Sequence, residues 1–258
     1  MSVSLSLLSI TDRYRKFLDA SYSEHIDPFN DRLSSQPASA RAEALGYFFF
    51  SEHTDKVDVA EDRAKGGVDF LCLTQETEYV VEVTHLEVET VRRRSGLPNE
   101  PPRYTGEGRF YGMITASLRN TVRNKVKQMS GYNCPRLLLI ASEHVHANSV
   151  MDTRAAELLL TYDYNFPQSE VFYYKKCKKW QALYQSISAI LLVSVGFDHA
   201  SVLGVLHPVP HYKFPIELLA EVPFVGLRTF PPEQGILDIE WYQQQPHGFG
   251  YRFRYDSV

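Results

Sequence analysis

The feature that most constrains this chain is a pair of strand-forming runs, Val68-Asp69-Phe70-Leu71-Cys72-Leu73 and Tyr79-Val80-Val81-Glu82-Val83-Thr84, around the polar turn Gln75-Glu76-Thr77-Glu78. Both runs are rich in β-branched and aromatic residues, so together they predict an antiparallel hairpin. Pairing Thr74 with Tyr79 across the turn puts Asp69 opposite Thr84 and diagonal to Glu82, and all three then share one face with Leu71, Leu73 and Val80. Phe70, Cys72, Val81 and Val83 make the other face apolar as well. A hairpin that is apolar on both sides has to be covered on both sides, which predicts an α/β architecture with helices over each face of a sheet.

The rest of the chain supplies the covering layers. A helix is expected over residues 11–26, capped by Thr11 or Asp12 and stopped near Pro28; a second opens at Ser35-Gln36-Pro37 and runs through Ala44 and Leu45 toward Phe50. Residues 56–60 are a short strand candidate, residues 97–108, rich in Pro, Gly and charge, read as a loop, and residues 109–129 as a helix. After Pro135, Arg136-Leu137-Leu138-Leu139-Ile140 is a continuous apolar run of strand length, as expected of a strand covered on both faces. Beyond it lie a helix over residues 147–160, a basic segment at residues 175–179, strands near residues 188–195 and 202–206, and a Pro-rich tail. In that tail Tyr251-Arg252-Phe253-Arg254-Tyr255 alternates as a last edge strand would. No repeat or low-complexity tract divides the chain, so residues 1–258 are expected to form a single domain.

Composition narrows the partners. With 44% hydrophobic and 22% charged residues and a net charge of −4, the chain is neither disordered nor attached to nucleic acid by overall positive charge. Any such contact must come from local basic stretches such as Arg92-Arg93-Arg94. The cysteines Cys72, Cys134 and Cys177 are odd in number and far apart, which suits a reducing compartment. The longest apolar run, residues 187–195, is too short to span a bilayer, and no basic region precedes the first leucines. A cytoplasmic protein without membrane contact is expected.

Two carboxylates on one face of a buried hairpin, Asp69 and Glu82, repel one another and lose hydration, so they require a cation, a shared proton or basic partners. A divalent ion such as magnesium meets that need with one or two carboxylates and water. A register shifted by one residue would instead turn Asp69 to solvent. On the following helix, projected at about 100° per residue, Phe110, Met113, Ile114, Leu118, Val122, Val126 and Met129 fall in one arc, with Arg119, Arg123 and Lys127 opposite. Lys125 falls inside the apolar arc and Gln128 at its edge. A lysine so placed either snorkels to the surface or meets an anion, and the hairpin offers Asp69 and Glu82.

These residues resemble the PD-(D/E)xK nuclease superfamily, whose restriction-endonuclease-like core runs helix, three strands, helix, strand. Val68-Asp69 is similar to the Pro-Asp that opens the family's second strand, and Glu82-Val83-Thr84 to its Glu-x-Lys, with Thr84 where the lysine would stand. Members tolerate migration of that lysine to the next helix, and Lys125-x-x-Gln128 looks like such a helix. Glu43 in Ala42-Glu43-Ala44-Leu45 is similar to the helical glutamate that many members add to the metal site. The resemblance covers residues 40–142 and implies an α/β fold: an αβββαβ core with a mixed sheet flanked by helices, a helical extension at residues 1–39 and a carboxy-terminal α/β elaboration at residues 143–258. It further implies magnesium or manganese held by Asp69, Glu82, the Val83 carbonyl and Glu43, and catalysis by Asp69, Glu82 and Lys125 with Gln128 and Thr84 in support. Arg92, Arg93 and Arg94 would then contact phosphates. The activity so implied is metal-dependent phosphodiester hydrolysis of nucleic acid, DNA ahead of RNA, by a monomer or a homodimer. The competing reading, kept open by Thr84, is a non-catalytic nuclease-fold scaffold that binds nucleic acid or protein.

Other signals are weaker. Lys175, Lys176, Lys178 and Lys179 lie among Tyr173, Tyr174 and Trp180, the charge-and-ring combination that stacks on nucleic acid, although an ordinary amphipathic surface has the same composition. His144-x-His146 and the pair His207 and His211 have spacings that metals use, but no cysteine or acidic cluster joins them. Cys134, at the mouth of an apolar strand, reads as a small buried residue. No phosphate-binding glycine loop, dinucleotide fingerprint or nucleophile elbow occurs.

Overall fold

The structure, a computed structural model that describes residues 5–61, 67–95, 110–161, 169, 171–234, 238–243 and 250–255, begins with three helices. These are α1 (Leu5–Ser21), α2 (Ser23–Ser35) and α3 (Pro37–Ser51). The break expected at Pro28 falls at Tyr22, and Pro28 lies inside α2. The cause is tertiary: the Tyr22 ring packs on Phe17 and its hydroxyl donates to Asp58 Oδ1 at 2.6 Å, which draws the backbone out of helical geometry. α3 opens on Pro37 in its first turn, where the missing N–H costs nothing.

The remaining elements are β1 (Lys56–Val59), β2 (Phe70–Leu73), β3 (Glu78–His85), α4 (Val88–Ser95), α5 (Phe110–Lys125), β4 (Arg136–Ser142), α6 (Ala147–Val150), α7 (Thr153–Leu160), β5 (Tyr173–Lys176), β6 (Lys179–Ala182), β7 (Ala189–Val195), β8 (His199–Leu206), β9 (Phe224–Leu227), β10 (Ile239–Tyr242) and β11 (Tyr251–Arg254). Nine of the strands form one mixed sheet in the order β1-β2-β3-β4-β7-β8-β9-β10, with β11 beside β8. The chain is thus an α/β protein whose sheet is flanked by helices. β3, β4 and β7 run parallel, and the hairpin β1-β2-β3 is antiparallel. Residues after β4 extend the same sheet through β7 to β11, while β5 and β6 form a separate two-stranded hairpin.

Several boundaries differ from expectation for physical reasons. The hairpin pairs Leu73 with Glu78 and Cys72 with Tyr79, because Thr74 closes the turn by donating its N–H to the Thr77 carbonyl at 2.9 Å. An even shift keeps every side chain on its expected face. Carried one residue past Phe70 and Val81, this register sets Asp69 level with Glu82, and not with Thr84. The helix expected to Met129 ends at Lys125, and the one expected over residues 147–160 is broken where Asp152 caps α7 by accepting the Ala155 N–H at 2.9 Å. The basic segment at residues 175–179 is the β5–β6 turn, with Cys177 and Lys178 at positive φ. α4, β9 and β10 had no clear periodic signal, and the loop expected over residues 97–108 lies outside the described residues.

Alternation along the strands divides the core into two layers. Phe70, Cys72, Tyr79, Val81, Val83, Leu137 and Leu139 face Tyr14, Phe29, Phe49 and Phe50 of α1 to α3. Val80, Leu138, Ile140, Ile190 and Leu192 face Leu118 and Val122 of α5 and Leu159 of α7. Gly46 lets α3 lie close on β3: a Cβ there would stand 2.9 Å from Val83 Cγ2, so the helix that carries Glu43 is held against the strand that carries Glu82.

At the far end of the sheet His207 is buried, with Nδ1 accepting the Val209 N–H at 3.0 Å and Nε2 donating to the Leu183 carbonyl at 2.6 Å. Only the neutral ring satisfies both bonds, and burial pushes its pKa down to about 4 from 6.5. The unfolded chain takes up this proton near pH 6.5 and the folded chain does not, so the contribution of His207 is complete above 6.5 and disappears as the pH falls toward 4. Its loss should amount to about 3 kcal/mol. Thermal melts from pH 7 to 4 should show wild type losing more stability than His207→Gln; parallel profiles would contradict the assignment.

Candidate functional site

β1 ends at Val59 and β2 begins at Phe70, whereas β3 runs on to His85. Beyond Val81 the β2 side of β3 therefore lacks a strand partner. Asp69, in the bend just before β2, fills that position: its Oδ2 accepts the Val83 N–H at 2.6 Å. In the notch so formed, side chains from both helical layers come within electrostatic reach of β3.

Glu82 is 2% exposed, and Lys125, the last residue of α5, places Nζ 2.6 Å from Glu82 Oε1. Glu82 Oε2 is buried without any hydrogen-bond partner. From the other layer comes Glu43 of α3, whose Oε1 accepts from the Tyr14 hydroxyl at 3.1 Å and whose Oε2 accepts from Arg32 Nη2 at 2.6 Å. Arg32 also lies 3.6 Å from Glu61, which follows β1. Burial, and after it the charge of Asp69, pushes the carboxyls of Glu43 and Glu82 up to about 8. Burial raises Asp69 to about 6, opposed by the Val83 N–H and by Lys125.

The structure thus brings Asp69, Glu82, Lys125 and Glu43 into one neighbourhood. Thr84 is half-buried, two residues beyond Glu82 on the same face. Val83 gives its N–H to Asp69 while its side chain packs toward α3. Gln128 does not join them: α5 ends before it, and it is exposed in the following turn. Arg92 and Arg93 are exposed on α4, where Arg92 pairs with Glu89 at 3.6 Å, and the Arg94 side chain lies outside the described residues. On the β5–β6 hairpin, Lys175 Nζ lies over the Trp180 ring at 5.0 Å and Lys176 is exposed. A cavity of about 510 Å³ lined by Phe17, Tyr22, Tyr47, Lys56 and Asp58 opens along β1 and includes none of the cluster's carboxylates.

Three members of the cluster were not singled out by sequence. Tyr14 occupies the apolar face of α1 and reads as core; Arg32 meets Glu43 only through the packing of α2 on α3. Glu61 had a usable signal, since Ala60 donates its N–H to the Asp69 carbonyl at 2.9 Å and the residue after a strand paired in that way must lie near Asp69.

Asp69 and Glu82 fit a hard divalent ion, which binds through one or two carboxylates and retains water, and the unpartnered Glu82 Oε2 is an acceptor of the required kind. Glu43, expected to join them, has a donor on each oxygen. Among the described residues no three His, Cys, Asp or Glu side chains converge as a metal-binding group. Among the same residues no helix is long and apolar enough to cross a membrane. No protein-family model, curated protein or solved structure matches the chain.

The raised carboxyls predict a pH effect of opposite sign to that of His207. Folded Glu43 and Glu82 hold protons that the unfolded chain releases near 4.5, so their contribution is complete below 4.5 and is lost as the pH climbs through about 8. With chelator present, the melting temperature should fall between pH 6.5 and 8 in wild type and fall less in Glu82→Gln. Equal slopes would show that Glu82 is ionised throughout.

Proposed function

We propose that the chain is a divalent-metal-dependent phosphodiesterase acting on nucleic acid, a divergent relative of the PD-(D/E)xK nucleases with a restriction-endonuclease-like core from α3 to β4. The observation that carries this reading is the pairing of Lys125 with Glu82 across the helix–sheet interface, 43 residues apart in sequence, beside Asp69 and a buried carboxylate oxygen without a donor. An ammonium delivered by the next helix supplies the charge that Thr84 cannot.

In this reading Asp69 and Glu82 hold magnesium or manganese, with the Val83 carbonyl as a further ligand. When bound, such an ion lowers the pKa of water and offsets charge on the phosphate. Lys125, 27% exposed along its side chain, is anchored by Glu82 and reaches solvent, so its nitrogen can donate to a non-bridging phosphate oxygen as negative charge develops there. The Val83 N–H keeps Asp69 oriented. Arg92 and Arg93, with Lys175 and Lys176, would contact phosphates without reading sequence. A specific observation also favours the scaffold reading: Tyr14, Arg32, Lys125 and the Val83 N–H already give Glu43, Glu82 and Asp69 internal donors.

The deciding experiment is cleavage of single- and double-stranded DNA and RNA with magnesium, manganese or chelator, beside Asp69→Ala. Metal-dependent cleavage lost in that variant is expected; no cleavage of any polymer leaves the scaffold. Given activity, Lys125→Met should lower turnover by ~10²–10³, the loss typical of one electrostatic stabiliser, and Thr84→Lys in that background should restore part of it. Undiminished turnover in Lys125→Met would remove Lys125 from the chemistry. Polymer affinity should weaken with salt through counterion release, with a slope that flattens when Arg92 and Arg93 are replaced by glutamine.

A further inference from the structure

We propose that Arg32 takes the place of a second metal ion, so that the cluster binds one divalent cation, at Asp69 and Glu82, and not two. This inference rests on the metal-site reading above and specifies its stoichiometry.

The first argument is charge. Among the described residues the cluster contains four carboxylates, Glu43, Glu61, Asp69 and Glu82, and two cations, Arg32 and Lys125. The shortfall is two positive charges, which one divalent ion supplies; a second would leave the site as unbalanced as none. The second argument is where donors are missing. Glu43 receives Tyr14 on one oxygen and Arg32 on the other, at 3.1 and 2.6 Å, whereas the buried oxygen without a donor belongs to Glu82. An acceptor for a metal therefore remains at the Glu82 end and not at the Glu43 end.

Arg32 is suited to this role. A guanidinium stays charged at any physiological pH and presents a rigid fork of donors that can address two carboxylates at once. Arg32 does so, with Nη2 on Glu43 and Nη1 toward Glu61. α2 is fixed by the fully buried Phe29, which meets Tyr14 edge-on at 5.2 Å, so the guanidinium cannot swing away without disturbing the Tyr14 hydroxyl that holds Glu43.

The test is the stoichiometry of Mn²⁺ bound by the full-length chain, measured by equilibrium dialysis, with folding followed by circular dichroism. Wild type should bind one equivalent, Arg32→Lys one, and Arg32→Met two, while Asp69→Asn should bind none. Two equivalents in wild type would overturn this inference and leave the metal site standing; none in wild type would overturn both. One equivalent in a folded Arg32→Met would show that the guanidinium excludes nothing. Should Arg32→Met fail to fold, Glu43→Gln decides: retention of the single ion supports the inference, and its loss would make Glu43 a ligand and overturn it.

Discussion

Asp69 Oδ2 accepts the Val83 N–H at 2.6 Å at the point where β2 gives way to a bend, and the geometry around the cluster depends on that bond. An inner strand that loses its neighbour leaves backbone groups needing partners, and a buried N–H without one costs about 1–3 kcal/mol. A carboxylate can end the ladder where a continuing strand would have extended it. The sheet then has a notch instead of an edge, and β3 presents Glu82 to a space that both helical layers reach. Had β2 started a few residues earlier, its own side chains would have separated Glu43 on one face from Lys125 on the other.

Each charge in the notch comes from a different element, and ordinary apolar packing sets the distances. α3 approaches β3 at Gly46, and the bidentate pair of Arg41 with Glu143, at 2.6 and 2.7 Å, ties α3 to the end of β4. α5 is seated by Leu118 and Val122, which leaves Lys125 at its last residue above Glu82. A lysine at that position also complements the partial negative charge of the helix terminus. The cluster is therefore a product of the complete core, and no short segment of the chain could assemble it alone.

What was legible in sequence follows from which interactions are periodic. The hairpin, the buried strand at Arg136-Leu137-Leu138-Leu139-Ile140 and the inward Lys125 all register as alternation or as a helical arc, and their faces survive the two-residue change in register because strand periodicity is even. Tertiary contacts leave no such trace. Tyr22 breaks the first helical stretch through Asp58, while Pro28, the stronger local signal, is absorbed within α2. Arg136 reads as an exposed strand start, yet it is 2% exposed, donates to the carbonyls of Cys134 and Met129, and lies over the Tyr212 ring. Arg32 and Glu61 were invisible for the same reason: each acts on a residue that only the packed fold brings near.

The same chain shows how it satisfies buried polar groups where structure alone is at stake. Arg136 is met by backbone carbonyls and an aromatic face, His207 by one donor and one acceptor, and Arg41 by a single carboxylate in bidentate geometry. In each case the partners match the group. The notch follows another pattern, with more described carboxylates than cations and a buried Glu82 oxygen left over. Buried ion pairs seldom stabilise a fold more than apolar residues of the same volume, and surplus buried carboxylates oppose it. An arrangement that weakens the free protein in this way gains only when something positive enters, which is why the notch, and not the better-matched groups elsewhere, is where binding is to be sought.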